Sequence, residues 1–156
     1  MDEKLYSKIL NKIKVRERSE KEILEFLEKS GVSSNDSAFV IDRLKNSKLL
    51  DNNRFAESKI RSRIYNQHWG IEKIRYELIE FGVPKDLIEE KLLEVDPSVW
   101  VLNCEKIISK NKLNKENQME IFKLKKKLFQ MGYPNQTIKQ AFRNQEIKEE
   151  IEVDLE

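Results

Sequence analysis

Apolar residues follow a pattern that occurs three times along the chain, around glycines 51 and 50 residues apart, Gly31, Gly82 and Gly132. Apolar side chains stand eight and four positions before each glycine, and one and ten positions after it. They are Ile23, Leu27, Val32 and Ile41, then Ile74, Leu78, Val83 and Leu92, then Leu124, Leu128, Tyr133 and Phe142. Residues four apart share one face of a helix. The pattern therefore predicts three copies of a helix, a glycine corner and a second helix.

Glycine suits these corners because the backbone turns left-handed just after a helix, where a Cβ atom is penalised. Proline follows two of the glycines, and we place Pro84 and Pro134 at the first position of the next helix, where an N–H group is not needed. Ser33 or Ser34 can cap the equivalent helix in the first copy.

Another amphipathic segment precedes each corner, which gives three helices per copy. Ser19 with Glu22, and Asn117 with Glu120, have the spacing of a capping box, and Asp96 before Pro97 fits a cap and first turn. We predict helices over residues 4–14, 19–30, 35–46, 53–66, 71–81, 84–95, 98–110, 118–131 and 134–145, and no strands. The fold class is thus all-α, with three tandem three-helix repeats that form an elongated body, able to curve. The predicted divisions are residues 1–51, 52–97, 98–145 and an acidic tail at 146–156.

Composition narrows the class of protein. Charged residues make up 37% of the 156 residues, and no apolar run is long enough to cross a membrane. The first residues lack the apolar stretch of a secretory signal, and one cysteine, Cys104, cannot form an internal disulfide. We expect a cytoplasmic monomer without membrane association.

The net charge of +2 conceals an uneven distribution. Residues 99–143 carry ten Lys and Arg against three Asp and Glu, whereas residues 144–156 carry six acids and one lysine. A second basic segment, residues 54–76, carries six Lys and Arg against two Asp and Glu. These two basic segments favour contact with a polyanion. We leave open whether the acidic tail is disordered or shields the basic segment before it.

Catalytic chemistry has little support in this sequence. His68 is the only histidine, so a metal site or a nucleophile–histidine relay would depend on it alone. Cys104 lies on the inner face of a predicted helix, which favours a buried structural thiol. The four glycines are too dispersed for a phosphate-binding loop. We therefore predict no catalytic residue, metal or cofactor.

The second copy carries a series of specific motifs. They read Asn53-Arg54-Phe55-Ala56-Glu57-Ser58, then Arg61-Ser62-Arg63, then Gly70-Ile71-Glu72-Lys73-Ile74-Arg75-Tyr76-Glu77-Leu78. The series resembles the central motif of the RecX family of bacterial recombination regulators. The resemblance implies three tandem three-helix units in a non-enzymatic regulator of homologous recombination and the SOS response. Such a protein binds the RecA filament on single-stranded DNA and inhibits its ATPase, strand-exchange and co-protease activities.

Cationic residues and one tryptophan are the candidate contacts with the filament or DNA. They are Arg54, Lys59, Arg61, Arg63, Trp69, Lys73, Arg75, Lys123, Lys125, Lys126, Lys127, Lys139 and Arg143. Lys123, Lys125 and Lys126 are predicted to lie outside, because Leu124 and Leu128 face inward. Each cation has the alternative of an ordinary solvated charge, and Trp69 can pack internally or stack on a base.

Two other functions fit the helical pattern. One is a general DNA-binding helical repeat protein with units like helix-turn-helix modules. The other is an adaptor for an unrelated protein. Weak direct DNA binding by a RecA regulator also stays open.

Overall fold

The protein is described by a computed structural model that covers residues 2–156. Across that range the chain forms nine α-helices and no strand. The helices are α1 Glu3–Val15, α2 Glu20–Lys29, α3 Ser34–Asn46, α4 Asn52–Ser62, α5 Ile71–Glu80, α6 Lys85–Leu93, α7 Pro97–Lys110, α8 Gln118–Gln130 and α9 Asn135–Asn144. The all-α prediction is confirmed, and each predicted helix is present. No helix in the described range is long and apolar enough to span a bilayer.

Side-chain caps fix where several helices begin. Ser19 Oγ accepts a hydrogen bond from the backbone N–H of Glu22, Asn117 accepts from Met119 and Glu120, and Asp96 accepts from Ser98. Each cap satisfies an N–H group that has no partner within its helix. The three predicted caps are confirmed.

The three glycines end their helices as predicted. Gly31, Gly82 and Gly132 have φ angles of 79°, 76° and 102°. After each glycine, the next residue donates its backbone N–H to the carbonyl five residues earlier: Val32 to Leu27, Val83 to Leu78 and Tyr133 to Leu128. This hydrogen bond defines the Schellman corner, which folds the apolar residue after the glycine onto the helix that has just ended.

The prolines are one position earlier than predicted. Helix α9 begins at Asn135, with Pro134 as its extended N-cap, and α6 begins at Lys85 after Pro84. Ring closure restricts φ but not ψ, so proline also fits the extended cap, which has ψ 156° at Pro134.

The predicted helix over residues 53–66 is interrupted. Its α-helical part ends at Ser62, and Arg63–Gln67 form a π-helical turn. His68 follows with φ 57° and ends the turn. A π-turn inserts one residue into the helical repeat and redirects the side chains after it, and such turns are frequent at functional sites.

The chain divides into two compact units. The first comprises Met1–Lys59 and Leu78–Lys91, with a core of Ile9, Ile23, Leu27, Val40, Leu44 and Leu50. The second comprises Ile60–Glu77 and Leu92–Glu156, and its core includes Cys104, Leu124, Leu128, Tyr133 and Phe142. Of the twelve repeated apolar positions, all but Val32 and Ile41 are buried, and those two are partly buried. The predicted repeat boundaries and elongated body stay predictions.

Candidate functional site

Three candidate residues of the second unit, one of them in the π-turn, lie together with Glu77. The guanidinium of Arg63 donates two hydrogen bonds to the Glu77 carboxylate, at 2.8 and 2.9 Å. The Arg63 and Glu77 side chains are only 21% and 17% exposed. The Trp69 ring centroid lies 4.5 Å from Arg63 Cζ and 4.2 Å from Lys73 Nζ. Arg63, Lys73 and Trp69 therefore form one cation–aromatic cluster, with Glu77 as its anion.

A close backbone contact holds the loop beside this cluster. Gly70 N–H donates to the Met131 carbonyl at 2.8 Å, and Glu72 N–H donates to the Gly132 carbonyl at 2.9 Å. The Tyr133 hydroxyl donates to the His68 carbonyl at 2.5 Å. Burial raises the pKa of the Tyr133 hydroxyl, so this group stays protonated and able to donate. The loop that carries Trp69 is thus fixed to the corner at Gly132.

The other predicted contacts in the middle of the sequence have different surroundings. Arg54 pairs with Glu17 at 2.7 Å, and Arg75 pairs with Glu72 at 2.5 Å. The ammonium of Lys59 lies 4.8 Å from the Phe81 ring centroid. Arg61 is exposed and forms no ion pair with any residue in the described range. Arg61 is therefore the cation of this group best placed to bind an external anion.

The prediction that Lys125 lies on the outer surface is wrong. Lys125 is 0% exposed; its ammonium pairs with Glu149 at 2.9 Å and donates to the Val153 carbonyl. The spacing was consistent with burial, since Lys125 lies four residues after Ile121 and three before Leu128 on the buried face of α8. The prediction was drawn from Leu124 and Leu128 facing inward and did not include Ile121. A lysine is also rarely buried unless a carboxylate pairs with it.

The other three lysines of α8 lie on the surface, where an external partner can reach them. Lys123, Lys126 and Lys127 are exposed, and so is Arg143 on α9. Lys126 Nζ lies 5.7 Å from the centroid of Phe122, whose side chain is also exposed. Sequence reasoning missed Phe122, although its spacing from the inward Ile121 and Leu124 places it off the apolar face.

The acidic tail lies on the same unit and contacts two of the candidate lysines. Besides the Glu149–Lys125 pair, Asp154 meets Lys139 at 2.6 Å. The hydrogen bond from Lys139 and its positive charge lower the pKa of Asp154, and the same hydrogen bond raises the pKa of Lys139. The alternatives for the tail were disorder and shielding of the basic segment, and these contacts agree with shielding. The tail shields Lys125 and Lys139 but leaves the other lysines of α8 exposed.

Of the two residues considered for catalysis, His68 ends the π-turn and Cys104 lies in the core of the second unit. Cys104 is fully buried, and desolvation together with the nearby Glu105 raises its pKa to about 12. No group of three or more His, Cys, Asp or Glu suited to a metal ion occurs within residues 2–156. The prediction that Cys104 is buried is confirmed.

Within the described residues, helices joined by glycine corners, with exposed cations on α4, α8 and α9, define an all-helical protein with cationic surfaces. Comparison with known proteins gives the particular family. Residues 51–92 match the model of the second three-helix domain of RecX. Regulatory protein RecX of Prosthecochloris aestuarii is 36% identical over 139 residues, which cover 88% of this chain and 91% of the relative. The chain belongs to the RecX family of regulatory proteins.

Two further similarities extend over most of the chain. Regulatory protein RecX of Oceanobacillus iheyensis is 31% identical over 98% of this chain. That relative is longer, and the present chain spans 57% of its length. The crystal structure of RecX from Lactobacillus salivarius superposes with a TM-score of 0.80 at 19% identity, over 93% of this chain and 96% of the other. The structural similarity supports the fold.

Proposed function

We propose that this protein regulates homologous recombination and the SOS response by binding the RecA filament on single-stranded DNA, in the cytoplasm. Binding inhibits the ATPase, strand-exchange and co-protease activities of the filament, and the protein performs no catalysis itself. Membership of a family of regulatory proteins supports this proposal. The observation that carries it is the set of exposed cations: Arg61, Lys123, Lys126, Lys127 and Arg143.

The proposed mechanism is steric and electrostatic. Exposed cations attract the phosphates and carboxylates of a nucleoprotein filament, and an arginine binds either group through two parallel hydrogen bonds. Contacts made from several helices to neighbouring RecA protomers add up, because each bound contact holds the next at high local concentration. A protein bound in this way hinders the second DNA strand and the rearrangement of protomers that ATP hydrolysis requires.

Eight of the thirteen candidate residues have one of two roles in this proposal. Arg61, Lys123, Lys126, Lys127 and Arg143 contact the filament directly. Arg63, Trp69 and Lys73 support the surface that carries Arg61, because they are engaged with one another and with Glu77. Lys125 takes no part in contact while the tail covers it.

Inhibition of ATP hydrolysis tests the proposal. The protein is titrated into RecA assembled on single-stranded DNA, and its affinity for the same DNA without RecA is measured in parallel. We expect half-maximal inhibition at a concentration at least about tenfold below the dissociation constant for naked DNA. No inhibition at saturating protein would refute the proposal.

A matched pair of charge reversals identifies the contact. Arg61→Glu should raise the concentration for half-maximal inhibition about tenfold, because it replaces an attraction by a repulsion at the interface. Lys29→Glu makes the same reversal at an exposed residue outside the candidate set and should leave inhibition within about twofold. Both variants should retain the helical circular dichroism spectrum of the parent. Equal effects of the two reversals would show that net charge, not Arg61, determines inhibition.

A general DNA-binding function is the second candidate, and the exposed α8 lysines favour it. Lysine side chains bind phosphates without reading the base sequence, and such binding weakens steeply with salt. In the titration above, inhibition that follows the affinity for naked DNA at every salt concentration would favour this candidate over the RecA filament.

A further inference from the structure

The last eleven residues are bound to the second unit by contacts unlike those of its core. From Glu146 onward the chain forms no helix or strand, and it lies across α8 and α9. Ile147 is 4% exposed and joins the core cluster, whereas farther on Ile151 and Val153 are 78% and 49% exposed and Leu155 is partly buried. Beyond Ile147, the tail is therefore held mainly through its main chain and its carboxylates, with Leu155 as the one apolar side chain that is partly buried.

Two side-chain amides bind the main chain of the tail. Gln118 donates to the Lys148 carbonyl at 3.0 Å and accepts from the Glu150 N–H at 2.9 Å. Asn135 donates to the Leu155 carbonyl at 2.8 Å and accepts from the Leu155 N–H at 3.1 Å. Each amide uses both its donor and its acceptor on peptide groups that every amino acid except proline possesses. These contacts select for an extended peptide rather than for particular side chains.

Two lysines pair with carboxylates of the tail and so favour acidic residues in it. Lys125 Nζ pairs with Glu149 at 2.9 Å and also donates to the Val153 carbonyl, while Lys139 Nζ pairs with Asp154 at 2.6 Å. Lys125 is fully buried beneath the tail, so any segment that replaces the tail must bring a carboxylate to that ammonium or leave it open to water. The two carboxylates that the lysines receive are five residues apart in sequence.

We propose that α8 and α9 form a peptide-binding groove, defined by Gln118, Lys125, Asn135 and Lys139, for an extended acidic segment of a partner protein. The chain's own tail is the resident occupant, which the partner segment displaces. The partner segment carries two carboxylates about five residues apart, and its main chain pairs with the two amides. The tail thus acts as a built-in competitor for its own groove.

The amide contacts favour a peptide over a nucleic acid. A phosphate backbone accepts hydrogen bonds but offers no donor equivalent to the N–H groups of Glu150 and Leu155, which the amide oxygens of Gln118 and Asn135 accept. A nucleic acid bound through its phosphate backbone would therefore satisfy the two lysines and leave both amide oxygens without partners. This inference does not rest on RecA regulation, since a peptide assay can fail while filament inhibition succeeds, and the reverse.

Binding of a free peptide to full-length protein tests the groove. The probe is a fluorescein-labelled synthetic peptide of residues 148–156, followed by anisotropy near physiological salt. The receptors are the parent chain, an Asp154→Asn variant and a Glu149→Gln/Asp154→Asn variant, in which the resident tail is weakened. We expect the double variant to bind the probe at least about tenfold more tightly than the parent, because a tethered tail competes at millimolar effective concentration. Asp154→Asn should lie between them and carries the test if the double variant loses helical circular dichroism.

Two controls determine whether the groove itself is responsible. A probe with Gln and Asn in place of the two carboxylates should bind at least about tenfold more weakly, because it removes both ion pairs. Adding Asn135→Ala to the tail-weakened receptor should reduce binding of the original probe by a similar factor, because it removes both hydrogen bonds to Leu155.

Several outcomes would overturn the proposal. They include no probe binding to either tail-weakened receptor, equal binding of the neutral probe, and binding that is insensitive to Asn135→Ala. Displacement of the tail by oligothymidylate but not by the probe would assign the groove to polyanions instead. A parent chain that forms Asn135-dependent dimers in light scattering would make the tail of a second copy the occupant and reject a separate partner.

Discussion

Gly70 and Gly132 lie against each other with no space for a side chain between them. A Cβ atom on Gly70 would lie 2.3 Å from the Gly132 carbonyl carbon and 2.4 Å from the Tyr133 nitrogen. Both neighbours are backbone atoms, which cannot rotate away as a side chain can. The contact keeps the loop before α5 attached to the corner between α8 and α9, so the position of Trp69 depends on two glycines far apart in sequence.

Substitution of Gly70 should therefore be costly. We expect Gly70→Ala to lower the free energy of unfolding by about 3 kcal/mol, because the backbone must move to admit the methyl group. Gly31→Ala is the matched control: no atom lies within 4 Å of its added Cβ, and only the left-handed φ opposes alanine, at about 1 kcal/mol. Urea denaturation followed by circular dichroism measures both. A smaller loss for Gly70→Ala than for Gly31→Ala would contradict the close contact.

Arg61 and Arg63 should differ in their effect on stability although they are two residues apart. Arg63→Ala should cost about 2 kcal/mol of unfolding free energy, because it leaves the partly buried Glu77 without its two charge-assisted hydrogen bonds. Arg61→Ala should change stability by less than about 0.5 kcal/mol, since Arg61 is exposed. Thermal denaturation compares the two. A double variant, Arg61→Glu with Arg63→Glu, should consequently lose stability. The single variant Arg61→Glu is therefore the one that tests contact with the filament.

Cys104 should resist thiol reagents while the protein is folded. Its pKa of about 12 leaves about one thiolate in ten thousand at pH 8, and the side chain is fully buried. We expect modification by a disulfide reagent at pH 8 to be at least about a hundredfold slower than in denaturant. Rapid labelling of the folded chain, measured by absorbance of the released thiol, would show that α7 opens readily.

Docking of the tail should depend on pH through Asp154. The Asp154 pKa is lowered in the docked state, so the contribution of this group to docking is complete above its ordinary pKa of 3.8 and is lost as the pH falls below it. Lys139 has a raised pKa, so its contribution is complete below 10.5 and is lost as the pH rises through the docked value. Other charges near the pair are Lys125, Glu149 and Glu152.

The Leu155 amide reports this docking, because its N–H donates to Asn135. Its chemical shift should be constant in the window between 3.8 and 10.5 and should move toward the free-peptide value on either side. Asp154→Asn should remove most of the acidic transition. A shift that stays constant down to pH 2 would mean that Asp154 does not contribute to docking.

The sequence was sufficient for the features that depend on neighbours along the chain. Helices and corners follow from apolar residues three and four apart and from a glycine that accepts a left-handed φ, and both are local requirements. Gly31, Gly82 and Gly132 could thus be placed without knowledge of the tertiary structure. The error at Pro134 is of one residue, because both the N-cap and the first helical turn accept proline.

Contacts between distant residues could not be predicted in this way. Lys125 has the spacing of a core residue, but its burial depends on Glu149, which arrives from the tail. Arg63 has the same positive charge as Arg61, and only the π-turn and Glu77, fourteen residues away, make it a structural residue. Charge along the sequence therefore identified the cationic residues but not which of them are available to a partner.

The repeated corners have a consequence for the order of folding. Each closes a hydrogen bond between residues five apart, as from Val32 to Leu27, so little chain entropy is lost in forming it. The hydroxyl of Tyr133 must instead find the His68 carbonyl across 65 residues. We expect pulsed hydrogen exchange during refolding to protect the amides of Val32, Val83 and Tyr133 before that of Gly70, since short-range contacts form fastest. The helical corners would then be assembled first, and the loop that carries Trp69 would join them last.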